Sequence, residues 1–393
     1  MQLVAYGAQD IYLTGNPQIT FFKVVYRRHT NFSMESIEQT FNGTPDFGKK
    51  VTVTVSRNGD LITKCYVQST LPALTASSGT VGFVEEVGHF LIKSVEVEIG
   101  GQRIDKHYGT WLSVWSSLTT TKGHEDGYNS MIGNVSALTT RASSTSAYDL
   151  YIPLQFWFCR HTGLALPLIA LQYHEVKFSI EFETLANLIN LGEDGSTLSG
   201  SPSLGDTSMY VDYIYLDTDE RRRFAQISHE YLIEQLQFTG DESLSGTNNK
   251  IKLNFNHPVK ELIWVVQNDS RTGNNYTDSD TKSSGINPTE SAKLQLNGHD
   301  RFSVRKGRYF NEVQPYQHHE NIPATGINVY SFALKPEEQQ PSGSANMSRI
   351  DNATLQLTLT SAANAENPIV KVFATNYNVL RIMSGMGGLA YSN

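Results

Sequence analysis

The chain has 393 residues and a mass of 43.8 kDa, about twice the size of the commonest single domain, which predicts two domains. Hydrophobic residues make up 39% of the chain and charged residues 18%, so it is too apolar to be disordered, and its mean hydropathy of −0.33 is too polar for a membrane-spanning protein. The net charge of −8 excludes an overall basic field that would hold nucleic acid.

The first residues predict a soluble protein that is not secreted by the usual route. Residues 1–10 lack the basic end and the apolar stretch of a signal peptide, and the most apolar run, residues 164–171, is interrupted by Pro167. Cys65 and Cys159 are too few for a disulfide framework or a zinc site of their own, which favours a reducing compartment.

An amino-terminal arm is expected over residues 1–30. Asn16-Pro17 predicts a helix N-cap followed by proline at the first helical position. Phe22, Val25 and Tyr26 would then share the apolar face of this helix.

Short runs of alternating apolar and polar residues dominate the rest of the chain and predict half-buried β-strands. Clear cases are residues 51–55 (VTVTV), 95–99 (VEVEI) and 355–359 (LQLTL). The main helical pattern, about three turns long, is an apolar stripe formed by Tyr108, Trp111, Leu112 and Trp115.

Internal similarity divides these strands into two sets. Residues 37–39 (IEQ) recur as 233–235 at an offset of 196, and residues 67–68 (VQ) recur as 266–267 at an offset of 199. The hairpin at 97–101 (VEIGG) matches 294–298 (LQLNG) at an offset of 197. Three matches in the same order at nearly one offset predict two copies of one β-domain, over residues 31–217 and 229–393.

Eight strands are predicted in each copy. In the first copy they lie near residues 33–41, 49–57, 61–70, 90–99, 101–107, 149–155, 174–183 and 208–216. In the second copy they lie near 229–240, 249–255, 259–268, 291–297, 299–305, 326–335, 351–360 and 368–380. Eight antiparallel strands in two packed sheets describe a jelly roll. The predicted fold class is therefore all-β, with two consecutive eight-stranded antiparallel jelly rolls and short helices in the loops and the linker.

The linker between the copies is predicted to be a short helix over residues 218–228. Asp217 with Glu220 three residues later resembles a capping box. Arg221, Arg222 and Arg223 follow, and they indicate either a salt-bridged, solvated helix or a contact with an acidic neighbour.

No catalytic, cofactor-binding or metal-binding residues are predicted. His318-His319-Glu320 is the best metal candidate, but adjacent strand residues point to opposite faces and converge poorly on one ion. Cys159 and His161 would suit a nucleophilic pair, but Phe156-Trp157-Phe158 beside them is typical of a core strand and favours a buried structural thiol. Residues 384–388 (SGMGG) lack the lysine of a phosphate loop, so a mobile or docking tail is expected.

Four blocks of the sequence resemble the major capsid proteins of nucleocytoplasmic large DNA viruses, in the style of the algal-virus and giant-virus branch. Residues 7–32 (GAQDIYLTGNPQITFFKVVYRRHTNF) look like the amino-terminal signature of that family. The other blocks are residues 216–225 (LDTDERRRFA), 340–350 (QPSGSANMSRI) and 376–382 (NYNVLRI). The blocks span the whole chain in the family's order.

The resemblance implies a double jelly roll whose three subunits form a homotrimer with a pseudo-hexagonal outline, the tile of an icosahedral shell. The implied partners are copies of the chain, neighbouring capsomers, minor capsid and penton proteins, and the inner membrane surface, with no cofactor and no sequence-specific nucleic-acid binding. The virion capsid, assembled in the host cytoplasm, is the expected location.

The arm at residues 1–30 would lie at the inner, base side of this capsomer. The apolar side chains Phe22, Val25 and Tyr26 would pack beneath the jelly rolls. The basic side chains Lys23, Arg27 and Arg28 would face minor capsid proteins or the membrane, although an ordinary solvated helix end is the alternative.

The alternative function is a jelly-roll carbohydrate-binding protein. In that case Tyr128, Tyr148 and Tyr276 would be loop residues that stack on sugars. A hydrolase with its active site in the loops is a third class.

Overall fold

Antiparallel strands with short connecting helices build the chain. The computed structural model describes residues 5–192, 195–268, 273–279, 282 and 284–392. Within this range, no helix is both long and apolar enough to cross a membrane.

The strands fall into two sequential sets. The first set is β1 (Phe32–Gln39), β2 (Lys50–Thr54), β3 (Leu61–Leu71), β4 (Leu74–Ser78), β5 (Val81–Phe83), β6 (Ile92–Ile99), β7 (Gln102–Tyr108), β8 (Ser144–Thr145), β9 (Tyr148–Pro153), β10 (Leu166–Pro167), β11 (Val176–Phe182), β12 (Ile189–Leu191), β13 (Thr197–Leu198) and β14 (Thr207–Leu216). The second set is β15 (His229–Ser243), β16 (Asn248–Leu253), β17 (Pro258–Asn268), β18 (Thr289–Leu296), β19 (His299–Asp300), β20 (Arg305–Lys306), β21 (Ile327–Ser331), β22 (Ala345–Asn346), β23 (Ala353–Leu359), β24 (Pro368–Met383) and β25 (Met386–Leu389).

The helices lie in the connections between strands. They are α1 (Ile11–Thr14), α2 (Val87–Leu91), α3 (Gly109–Thr119), α4 (Lys122–Met131), α5 (Ser136–Thr139), α6 (Trp157–Arg160), α7 (Leu185–Leu188), α8 (Thr218–Gln226), α9 (Gln314–His318) and α10 (Ser361–Asn364). Two 3-10 turns cover Thr162–Leu164 and Met347–Arg349, and a π-helical turn covers Tyr309–Val313.

Each set of strands forms two main sheets, and the first set adds two small ones, β12-β5 and β13-β4-β8. In the first set the sheet orders are β1-β14-β3-β10, with β9 also paired to β3, and β2-β11-β6-β7. In the second set they are β15-β24-β17-β21 and β16-β23-β18-β19. Both sets bring strands that are distant in sequence side by side, as a jelly roll does. The predicted all-β class with two consecutive jelly rolls is confirmed.

Alternating burial explains why these segments are strands. In β2, for example, Val51 and Val53 are buried while Lys50 and Thr52 are exposed. The two copies also share a turn: Gly100 and Gly101 have φ values of 59° and 82°, and Asn297 and Gly298 have 51° and 79°. Two successive positive φ values are typical of the tight hairpin turn that glycine and asparagine favour. The repeat read from the sequence is therefore visible in the backbone.

Some local predictions are wrong. The strand expected over residues 299–305 is only the short pairs β19 and β20, because residues 301–304 between them leave the ladder with β18. Phe156-Trp157-Phe158 is buried as expected, but it leads into the helical turn α6 instead of forming a strand. Residues 71–89 and 118–147, where no strand was predicted, contain short elements, among them β4, β5 and α4.

Helix α3 joins the two jelly rolls. Its predicted apolar stripe divides between two cores, since Leu112 is buried in the first jelly roll while Trp111 and Trp115 pack with a separate cluster. This cluster includes Ile263 of β17 and Phe373 of β24, whose ring centroid lies 5.6 Å from that of Trp111. One helix thus belongs to the first jelly roll and covers the outer face of a sheet of the second.

The carboxy-terminal hairpin fastens the second jelly roll to the first. Strand β25 folds back on β24, and the Tyr173 backbone N–H donates to the Gly385 carbonyl at 3.0 Å. Gly387 is buried, and a Cβ there would lie 2.7 Å from Cδ2 of Leu171 and 3.2 Å from Ile99. The expected tail at residues 384–388 is therefore docked within its own chain.

Gly387→Val should weaken this attachment. The added side chain has to displace Leu171 and Ile99, so we expect a loss of about 1–3 kcal/mol of stability. The melting temperature and the rate of proteolysis near the carboxy terminus measure it. Gly388→Val is the matched control, because a Cβ there meets only the Gln102 side chain, at 3.1 Å. Equal melting temperatures for the two variants would contradict this role of Gly387.

Candidate functional site

The arm projects from the jelly rolls without packing on them. Phe22, Val25 and Tyr26 are 99%, 81% and 84% exposed, and Lys23, Arg27 and Arg28 are exposed as well. The hydrogen bonds of the described arm residues 5–30 join arm residues to one another, as when the Gly7 N–H donates to the Asp10 carboxylate. Apolar side chains that are exposed together usually mark a site of contact with another molecule, so this run indicates a partner.

The prediction that a helix starts at Asn16-Pro17 is wrong. The only helical segment in the described arm is α1, and Asn16 adopts a left-handed backbone conformation with φ of 51° just after it. Ile19, Thr20, Val24 and Val25 are β-branched and disfavour a helix. A short helix also needs a surface on which to bury its apolar face, and the single chain offers this segment none.

The linker residues lie in helix α8 and at its start. The Asp217 carboxylate accepts a hydrogen bond from the Glu220 N–H at 3.0 Å, as an N-cap residue does. Arg221 makes a forked contact with Asp60, with Nε at 3.0 Å from one oxygen and Nη2 at 3.1 Å from the other. Arg222 and Arg223 are exposed.

The arm and the linker emerge at the same end of the first jelly roll. Phe32, which begins β1, pairs with Leu216, which ends β14, and α8 starts two residues later. The Asp60 carboxylate in the turn before β3 accepts from the Leu216 N–H at 2.9 Å and pairs with Arg221. The structure therefore places the predicted arm and linker residues at one end of the molecule, which we call the base.

A buried charged cluster lies in the second jelly roll and was not predicted. The imidazole of His319 sits between two carboxylates, with Nε2 2.8 Å from Glu261 and Nδ1 2.7 Å from Glu337. The side chains of His319 and Glu261 are fully buried. Burial alone would lower the pKa of His319, but the two carboxylates outweigh it and raise the pKa to about 9. Burial likewise favours the neutral form of Glu261, yet His319 and Lys260 hold its pKa below the usual value.

The cluster continues into the first jelly roll through a chain of ion pairs. Lys260 Nζ lies 2.7 Å from one oxygen of Glu234, and Arg160 Nη1 lies 3.0 Å from the other. The Arg160 guanidinium stacks on the Trp115 ring of α3, 3.9 Å from its centroid. The sequence did contain a signal, since Lys260-Glu261 interrupts an otherwise apolar strand that is buried on both faces.

The residues considered for metal binding and for nucleophilic catalysis make other contacts. His318 ends helix α9 instead of lying in a strand, and its Nδ1 is 2.9 Å from the Leu334 carbonyl, whereas His319 contacts Glu261 and Glu337. In the part of the chain that the structure describes, no three His, Cys, Asp or Glu side chains could share a metal ion. The His161 ring accepts from the Gly163 N–H at 3.0 Å, while Cys159 neighbours the buried Cys65, and burial raises the pKa of the Cys65 thiol.

The tyrosines expected to stack on sugars do not form an exposed platform. Tyr276 is 1% exposed and packs in the cluster of α3. The Tyr128 hydroxyl lies 2.7 Å from Nε2 of the buried His89, and the Tyr148 hydroxyl donates to the Ser130 carbonyl at 2.8 Å. The hydroxyl groups of Tyr128 and Tyr148 make hydrogen bonds within the chain. The three tyrosines predicted to bind carbohydrate therefore do not support that alternative function.

The chain matches two family models. Residues 20–217 match the model for the major capsid protein N-terminus, and residues 220–388 match the model for the large eukaryotic DNA virus major capsid protein. The two matches meet at the start of α8.

Individual proteins agree with these models. The major capsid protein of Pyramimonas orientalis virus is 62% identical over 418 residues, which cover 100% of this chain and 99% of that protein. A chain in the quasi-atomic model of the PBCV-1 virus capsid is 41% identical with a TM-score of 0.84, covering 95% of this chain and 100% of that chain. The Faustovirus major capsid protein, at 13% identity and a TM-score of 0.82, shares the fold over 96% of this chain and 94% of its own.

His319→Gln should change how stability depends on pH. The raised pKa of His319 stabilises the folded wild-type protein fully below about pH 6.5, and this contribution is lost as the pH rises through about 9. We therefore expect the wild-type protein, but not the variant, to lose stability between pH 6.5 and 9.5.

Below pH 6.5 the same variant should be about 3–5 kcal/mol less stable than wild type, because Glu261 and Glu337 lose their partner. Denaturant titrations across this pH range measure both effects. His318→Gln is the matched control, since its ring contacts only a carbonyl at the surface. A wild-type profile that is flat from pH 6.5 to 9.5 would contradict the assignment.

Proposed function

Because the chain belongs to the major capsid proteins of large eukaryotic DNA viruses, we propose that three copies close into a homotrimer of pseudo-hexagonal outline that tiles an icosahedral shell. The protein has a structural role in the virion capsid. The trimer, its contacts and its assembly in the host cytoplasm are the parts that we propose.

The duplication of the jelly roll is the observation that supports the trimer. The two copies repeat the same strand order, from β1-β14-β3 and β2-β11-β6 in the first to β15-β24-β17 and β16-β23-β18 in the second. Three chains with two similar lobes each present six similar lobes around one axis. A threefold ring closes through head-to-tail contacts, and six lobes give it the outline of a hexagonal tile.

We propose that the domains follow the same division. Residues 1–30 are the arm, 31–217 the first jelly roll, 218–228 the linker and 229–393 the second jelly roll. The linker geometry supports this division, because α8 follows directly on β14 and Arg221 ties it to Asp60. Asp217, Glu220 and Arg221 then set the path between the jelly rolls, and Arg222 and Arg223 remain available to neighbours.

The partners of the base follow from its side chains. The exposed apolar residues Phe22, Val25 and Tyr26 pack beneath the jelly rolls of the assembled capsomer. The cations Lys23, Arg27 and Arg28 contact minor capsid and penton proteins or the inner membrane surface. The protein works through these surfaces and not as an enzyme, since the candidate nucleophile Cys159 neighbours the Cys65 thiol and the His161 ring accepts from the Gly163 N–H. With a net charge of −8, it lacks the overall basic field that holds nucleic-acid phosphates, so no sequence-specific nucleic-acid partner is proposed.

Sedimentation velocity and negative-stain imaging of the purified chain test the trimer. We expect a particle of three times the 43.8 kDa chain mass with a hexagonal outline. A stable monomer at micromolar concentration, or a particle of another symmetry, would contradict the proposal.

Deletion of residues 1–24 tests the arm. The arm contributes to neither core of the single chain, so the truncated chain should still fold and keep the trimer mass. When the truncated gene replaces the viral copy, electron microscopy should show few closed shells. The triple variant Lys23→Gln, Arg27→Gln and Arg28→Gln keeps the apolar residues and separates the charge from the packing. Normal shells from the deleted chain would refute the role of the arm.

A further inference from the structure

The duplication also relates the segment of α3 to a segment of the second jelly roll. Gly109 and Gly307 each end the hairpin after the shared turn, at an offset of 198. A Cβ on Gly109 would lie 2.7 Å from the Ile92 carbonyl, and a Cβ on Gly307 would collide with the Thr289 carbonyl. Ile92 and Thr289 are themselves related by an offset of 197. Both glycines therefore allow the same close approach to the start of the preceding strand. Residues 307–316 are thus the counterpart of residues 109–118.

The inward-facing positions of the two segments behave alike. Leu112 is buried in the core of the first jelly roll, and Phe310, at an offset of 198, is buried in the core of the second. The alignment of the two segments therefore holds for side chains as well as for the backbone.

The outward-facing positions behave differently. Trp115 and Leu118 are 5% and 0% exposed, because they pack on the sheet of the second jelly roll. Their counterparts Val313 and Tyr316 are 39% and 77% exposed. Leu334, whose carbonyl contacts the His318 ring at the end of α9, is 72% exposed as well. We call Val313, Tyr316 and Leu334 the α9 patch.

The receiving surface is duplicated too. Helix α3 packs on the outer face of the sheet that contains β17, where Val265 is completely buried. The counterpart of Val265 is Tyr66 of β3, at the offset of 199 that also relates Val266 to Val67. Tyr66 stacks on Tyr210 with ring centroids 5.1 Å apart and lies 6.2 Å from Tyr151, which is 38% exposed. We call Tyr66, Tyr151 and Tyr210 the tyrosine face.

We propose that the α9 patch of one chain packs on the tyrosine face of a second copy, and so repeats between chains the contact that α3 makes within one chain. This inference rests on the homotrimer proposed above and names its interface. Contacts within and between chains then alternate around six jelly rolls, and the ring closes after three chains. The occupant of the patch is another copy because the chain itself contains the complementary surface.

Photo-crosslinking from the patch locates the interface. Tyr316 is replaced by p-benzoylphenylalanine, the purified protein is irradiated, and the crosslinked peptides are identified by mass spectrometry. We expect crosslinks between chains to peptides from β3, β9 or β14, the strands of the tyrosine face. An intact trimer with crosslinks elsewhere would overturn this interface while leaving the proposed function standing. A wild-type chain that forms no trimer would overturn both.

A charge in the patch gives an independent measurement. Tyr316→Asp should raise the concentration at which half of the trimer dissociates at least tenfold, because a buried aromatic contact is replaced by a carboxylate. Its melting temperature as a monomer should match that of the wild type, since the side chain is 77% exposed. Tyr173→Asp is the matched control, at 76% exposure beside the carboxy-terminal hairpin, and should leave the trimer unchanged. Equal dissociation of the two variants would contradict the proposal.

Discussion

The packing of α3 on the sheet of the second jelly roll is the contact on which the molecule depends. Two jelly rolls joined by a short helical linker would otherwise be free to turn against each other. Trp111, Val114, Trp115 and Leu118 fill the junction from one side, and the outer face of β17 and β24 fills it from the other. Because this contact is buried and aromatic, the two lobes keep one fixed angle, which a tile with six similar lobes requires.

The buried ion pairs add orientation to this junction. Arg160 of the first jelly roll contacts Trp115 and Glu234, and Lys260 continues the chain towards Glu261 and His319. Charges in a protein interior stabilise little, since desolvation opposes their attraction, but they tolerate few arrangements. The apolar residues therefore provide most of the association, and the ion pairs restrict the angle at which the lobes meet.

The sequence predicted the strands well because their signal is local. Alternation in β2, β6 and β23 and the repeated turn at Gly100-Gly101 and Asn297-Gly298 need no knowledge of distant residues. The arm helix failed because a helix of this kind depends on a surface that the chain does not offer. The sequence alone could not show that the charged residues lie together, because they are far apart along the chain. Glu261 and His319 are 58 residues apart, and Arg160 and Glu234 are 74 residues apart.

The two copies differ at the matched positions that face different partners. The contact within the chain forms once, during folding, and it can be rich in tryptophan because it is never exposed afterwards. On the proposed arrangement, the matching contact between chains is exposed until the subunits meet, so a large apolar surface there would promote aggregation. Val313 and Tyr316 in place of Trp115 and Leu118, and Tyr66 in place of Val265, keep aromatic area while adding hydroxyl groups that water can solvate. Divergence between the copies therefore follows from the order of folding and assembly.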